Sequence, residues 1–160
     1  RDDFSAGLLL LVAAALQLVR LGRWSGWRTA RDPLVLILHV GYAWVPVGLC
    51  LLGLSIAGTA IPRTLAIHAL TAGAMATMIL AVITRATLGH TGRELRAGGP
   101  TVGFYYLVTL GAVLGVAAPV VPFDYLRLVE LSGALWAGAF LLFLIVYGPI
   151  LWRPRVGEAA

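Results

Sequence analysis

The chain has 160 residues, of which 60% are hydrophobic and only 12% charged, with a formal net charge of +5. So little polar surface and such long apolar runs cannot clothe a water-soluble globule, which excludes soluble enzymes and places the chain in a bilayer. All twelve basic residues are arginine and fall between the apolar runs, so the charge reports topology and lipid headgroups and not a nucleic-acid partner.

The first predicted span is Phe4 to about Leu21, where Leu8 to Leu16 shows no amphipathic stripe, as expected of a helix solvated by lipid. Its acidic start and the lack of a small-residue cleavage signal read as a true span of a longer protein and not a signal peptide. Arg20 to Asp32 follows, with four arginines and two tryptophans that mark a membrane interface. Pro33 then opens a second span, about Leu34 to Leu54, at a position where its missing N–H is tolerated. Cys50 is the chain's one cysteine, which excludes an internal disulfide and leaves it as a small buried filler. After a loop from Ser55 to Thr64 comes the third span, residues 66–88, and then a glycine-rich loop from Gly89 to Pro100. A fourth span runs from about Val102 to Val121, punctuated by Pro119 and Pro122. Residues 123–127 form a short loop, and the fifth span runs from Glu130 to Trp152, with Gly148-Pro149 loosening its last turn. The predicted class is all-α: a polytopic bundle of five transmembrane helices forming one transmembrane region over residues 1–160.

Arginine counting predicts orientation. Nine arginines lie in the first loop, the third loop and the tail (Arg20, Arg23, Arg28, Arg31, Arg85, Arg93, Arg96, Arg153, Arg155), and three at the start, second loop and fourth loop (Arg1, Arg63, Arg127). Basic residues are retained on the cytoplasmic side, so the C-terminus is expected inside. His90 then lies at the cytoplasmic interface, His68 near the outer one, and His39 about 8 Å inside the cytoplasmic edge. His68 and His90 are separated by about 33 Å along an unbroken helix and by about 40° around it, so both are expected on one face.

Buried polar groups in lipid need a partner or a task. His39 is followed by Tyr42 at i+3, a patch that reads either as a hydrogen-bonded helix contact or as a ligand for haem iron or copper. His68, Ala72, Met75, Ile79, Val82 and Ala86 share a stripe, and imidazole with thioether is a pair that suits copper. Against this, Met75 lies about 10 Å along the axis from His68, too far for one ion, and methionine is an ordinary gap filler. Ala69, Gly73 and Ala76 form a small-residue ridge for close helix approach. Thr77, Thr84 and Thr91 are expected to bond back to the preceding turn. Thr84 to Arg93 packs two arginines, an imidazole, three threonines and two glycines at an interface. It reads either as an anion site, with Arg85 and Arg93 holding a group such as a haem propionate while His90 faces the ring, or as a positive anchor with a glycine helix stop.

His39-Val40-Gly41-Tyr42-Ala43-Trp44, His68-Ala69-Leu70-Thr71 with Met75, Thr84 to Arg93, and Leu135-Trp136 with Tyr147 to Arg155 resemble the NnrS family. The resemblance covers essentially the whole chain but only the C-terminal portion of the family architecture, so further helices upstream are implied. It implies a bacterial inner-membrane protein containing haem and copper that serves the nitric oxide response and protects against nitrosative stress, with nitric oxide or its metal adducts as possible ligands. Spacing adds the expectation that His39 and His90 serve one cytoplasmic-leaflet site and His68 a second near the outer surface. A transport or scaffold bundle with structural or proton-relaying histidines is the alternative. A catalytic role is weaker than either, because Asp124 and Glu130 lie only at the outer interface and no carboxylate lies within a span to move protons.

Overall fold

The computed structural model describes residues 2–157, so Arg1, counted above with the outer arginines, lies outside the described residues. Five helices are long and apolar enough to cross a membrane, and no strand occurs among the described residues. They are α1 (Asp2–Arg23), α2 (Pro33–Ile56), α3 (Arg63–His90), α4 (Gly99–Ala117) and α5 (Tyr125–Leu151). The all-α class and the five-span count agree with the sequence. The boundaries shift where capping chemistry decides them. Asp32 accepts a hydrogen bond from the Leu34 backbone N–H at 3.0 Å, and Pro33 supplies the first helical residue of α2. Asp124 accepts from the N–H groups of Leu126 and Arg127 at 3.2 and 3.4 Å, so α5 starts at Tyr125 and absorbs most of the expected loop. At its other edge α4 starts at Gly99 and stops at Ala117, four residues short of expectation, because Pro119 has no N–H with which to continue the ladder.

The largest departure lies inside α3. Arg63–His68 and Ala76–His90 are α-helical, but Ala69–Met75 between them is a π-helix. A π turn is equivalent to about one extra residue, which rotates everything beyond it by about 100°. His68 and His90 therefore differ by roughly 60° in the sense opposite to the 40° of an unbroken helix. The Trp44 ring of α2 stands over Gly73 in this turn, where a Cβ would lie 2.6 Å from Trp44 Cδ2. Ala69, Gly73 and Ala76 are all buried, as the small-residue ridge requires.

Packing follows chain order: α1 on α2, α2 on α3, α3 on α4 and α4 on α5, with α3 central and α1 and α5 at the edges. The buried core gathers Leu34 and Ile37 from α2, Leu80 and Leu88 from α3, Phe104 and Val108 from α4, and Phe143 and Tyr147 from α5. Phe143 and Tyr147 stack at 5.0 Å, and Phe104 meets both edge-on at 5.8 and 5.9 Å. Thr101 and Tyr147 share a buried hydrogen bond of 2.9 Å that ties α4 to α5. Lipid is as apolar as leucine, so such interlocking shapes and interhelical bonds, rather than exclusion from water, hold the bundle. This packed half lies at the end where α1, α3 and α5 finish, the end that also carries the nine clustered arginines. α5 touches α3 along Ala76–His90, while the first half of α3 faces a cleft against α5.

Candidate metal centres

His39 sits two turns into α2. Its Nδ1 lies 3.0 Å from the Val35 carbonyl oxygen of the same helix. A carbonyl oxygen only accepts, so in the neutral ring Nδ1 carries the proton and Nε2 keeps the lone pair. The ring meets Trp24 edge-on at 6.2 Å, and Trp24 in turn packs on Tyr42 at 4.7 Å. Tyr42 is held by its hydroxyl, which donates to Gln17 of α1. Above the imidazole runs a short 3-10 turn, Gly26–Thr29, reached through Ser25 at a left-handed φ of 51°. Gly26 permits a close contact: a Cβ there would stand 2.6 Å from His39 Cδ2. His39 lines a cleft of about 430 Å³ with Leu18, Leu21, Gly22, Gly26, Trp27, Val40 and Ala43. The result is a half-buried imidazole in an apolar cleft between α1 and α2.

His68 repeats the motif near the opposite end of the bundle. Its Nδ1 lies 2.8 Å from the Thr64 carbonyl oxygen, which leaves the Nε2 lone pair free in the neutral ring. It lines a cleft of about 450 Å³ between α3 and α5 with Thr71, Ala72, Met75, Ala76 and Ile79 on one wall and Val129, Ser132, Gly133, Trp136 and Phe140 on the other. A Cβ on Gly115 of α4 would lie 4.0 Å from His68 Cδ2 and 2.7 Å from Ser132 Oγ, so three helices converge here. Ser132 is fixed by donating to the Gly111 carbonyl at 2.7 Å.

His90 differs from both. It is exposed at the last helical position of α3, and its side chain makes no hydrogen bond among the described residues. It borders a cleft of about 340 Å³ with Ile83, Ala86, Thr87, Phe143 and Leu151. The turn after it is a glycine stop: Gly92 has φ 70°, its N–H donates to Gly89 O at 3.2 Å, and the Arg93 N–H reaches back to Leu88 O at 2.9 Å. Val156 of the tail donates to Thr91 O at 3.0 Å and so crosses this turn. The Arg93 Nη1 atom is buried without a hydrogen-bond partner, and Arg85 is half-buried. Thr84 and Thr91 donate back to Leu80 O and Thr87 O at 2.6 Å as expected. Thr77 does not: its hydroxyl is buried and unbonded, immediately after the π turn has displaced the carbonyl register.

The structure thus brings Met75 into the His68 cleft and sets Tyr42 and His39 against one Trp24 ring. His39 and His90 line separate clefts, one against α1 and the other against α5, while His68 and His90 both border α5. Among the described residues no group of three or more His, Cys, Asp or Glu stands close enough to hold an ion. Gln17, Gly26 and Ser132 are site residues without a sequence signature of their own, although Gln17, the chain's one glutamine, is conspicuous in an apolar run, and Trp24 reads only as an interface marker.

A family model described as NnrS protein matches residues 4–155, and the chain belongs to the NnrS family. No curated protein and no solved structure matches it.

Proposed function

We propose that this multi-pass membrane protein of the NnrS family binds haem through His39 and His68 and acts in the response to nitric oxide and nitrosative stress, in a bacterial inner membrane with its C-terminus in the cytoplasm. Family membership supports the nitric oxide response. The arginine asymmetry between the two ends of the bundle supports the orientation. The observation that carries the cofactor reading is the pair of Nδ1–H bonds from His39 and His68 to carbonyls of their own helices. A backbone carbonyl behind the ring fixes the tautomer, orients the imidazole and raises the basicity of Nε2, the arrangement found behind metal-bound histidines. It also argues against the scaffold alternative, because neither imidazole spends its bond on a neighbouring helix.

The donor set fits haem better than copper. A haem iron brings its macrocycle and needs one or two imidazoles, whereas copper needs several protein donors at one point. His68 and Met75 line one cleft, but about 10 Å of helix separates them, too far for both to hold one copper ion. Bound haem would supply an iron able to take a diatomic ligand. The chain's own part is to hold the His39 ring at the wall of an apolar cleft with the proton on Nδ1 and the lone pair on Nε2, packed by Trp24 and the Gly26 turn. His68 shares its cleft with Ser132 and Trp136.

The test is the visible absorption spectrum of detergent-purified full-length protein, oxidised and reduced, with His39, His68 and His90 replaced in turn by alanine. Loss of Soret intensity in His39→Ala or His68→Ala and its retention in His90→Ala is expected. A Soret band that depends on His90 alone, or none after haem-replete growth, overturns the proposal and restores the transport or scaffold reading.

A further inference from the structure

Arg20, Arg23 and Trp24 line a cleft of about 490 Å³ on the outward face of α1, together with Leu16 and Val19. The Arg20 guanidinium carbon lies 5.1 Å from the Trp24 ring and 5.9 Å from the Tyr42 ring. Two aromatic faces therefore hold the guanidinium, and its N–H groups stay in its own plane, where they match a phosphate. Tyr42 is itself tethered to Gln17. Neither arginine has a carboxylate partner among the described residues; Arg127 pairs with Asp124 at the other end of the bundle. From this cleft an exposed apolar stripe, Val19, Leu16, Val12 and Leu9, runs along α1 at three- and four-residue spacing. It is about 15 Å long, half the hydrocarbon thickness of a bilayer and so the depth of one leaflet.

We propose that α1 carries a binding site for an anionic phospholipid, with the phosphate on Arg20 and Arg23, Trp24 at headgroup level and an acyl chain along the stripe. Charge selects the occupant: two unpaired guanidiniums favour an anionic headgroup over a zwitterionic one, and an interfacial tryptophan beside them marks the depth. The site does not depend on the cofactor reading, but it adjoins His39, because Trp24 contacts both Arg20 and His39.

Native mass spectrometry of the full-length protein, with phosphatidylglycerol and phosphatidylcholine added in equal amounts, tests the site. Wild type should retain phosphatidylglycerol in preference. Each arginine is worth about fivefold, so Arg20→Gln with Arg23→Gln should weaken retention about 25-fold. Arg23→Gln alone leaves the Arg20 stack in place, guards against misfolding, and should weaken it about fivefold. Arg28→Gln with Arg31→Gln removes the same charge away from the cleft and should change it by less than about twofold. Equal retention of phosphatidylcholine, an equal loss in the Arg28 and Arg31 pair, or displacement of the lipid by equimolar inorganic phosphate would each overturn the proposal.

Discussion

Replacing Gly26 by alanine adds one methyl group at the point where the 3-10 turn lies on His39. The new Cβ would stand 2.6 Å from His39 Cδ2 and 2.9 Å from Cγ, against an ordinary contact near 3.4 Å, so ring or turn must yield by 3.4 − 2.6 = 0.8 Å. The imidazole is pinned from behind by its 3.0 Å bond to Val35 O and flanked by Trp24. Yielding therefore means an off-rotamer ring at about 0.5–1.5 kcal/mol, a weakened hydrogen bond at about 1 kcal/mol, or a lifted turn. A net loss of about 1–3 kcal/mol is expected, the usual range for overpacking. Gly22, four residues earlier, provides the control: a Cβ there meets nothing within 4 Å, and it lies within α1. Gly22→Ala, one residue from the end of α1, should stabilise by up to about 0.5 kcal/mol through helix propensity. The same substitution at nearby positions is thus predicted to act with opposite signs. Thermal unfolding in detergent reads the sign, and hydrogen exchange at residues 24–32 should quicken only in Gly26→Ala. If both variants are stabilised and the turn's exchange is unchanged, the close packing of the turn on His39 is wrong.

Gly92→Ala forces a Cβ at φ 70°, 3.1 Å from the Val156 carbonyl oxygen, and should cost about 1–2 kcal/mol while raising exchange at the Val156 amide. Thr77→Val removes a buried, unbonded hydroxyl and should raise thermal stability by about 1 kcal/mol, whereas Thr84→Val, which deletes a 2.6 Å bond to Leu80 O, should not raise it. Tyr147→Phe leaves the Thr101 hydroxyl without its 2.9 Å partner and should lower stability by about 1–2 kcal/mol; Thr101→Val placed on top should restore part of that loss, and a simple sum of the two effects would deny their coupling.

What the sequence makes legible is depth. Counting residues at 1.5 Å each places His39, His68 and His90 along the bundle, because that count needs only helix ends, and Asp32, Pro33 and Gly92 mark ends plainly. Azimuth is different. α2 and α4 are apolar on every face, so no amphipathic stripe says which side meets which neighbour. The pairing of His39 with His90 therefore reads well by depth, yet the two line clefts on opposite flanks of the bundle. Asp124 caps α5 in the structure, yet the sequence places it in a loop, because the apolar and aromatic residues around it carry no period to show that the helix has begun. Contacts far apart in sequence, such as Tyr42 with Gln17 and Ser132 with Gly111, depend on register between helices and leave no local trace.

The π turn ties these two coordinates together. It separates the part of α3 that carries His68 from the part whose Leu80 and Leu88 enter the core. Deleting one residue from it, Ala74 for example, should let Ala69–Met75 close as ordinary α-helix, because the extra i to i+5 step vanishes. The core would hold Ala76–His90 in place, and Arg63–His68 would turn by about 100°, carrying His68 away from Gly115 and Ser132 and out of its cleft. Helix content should stay constant, and any Soret intensity owed to His39 should survive. The part owed to His68 should vanish as it does in His68→Ala, with no further loss when both changes are combined. If the deletion leaves the His68-dependent signal intact, the π turn is not what aims that imidazole, and the cleft must be set by α5 instead.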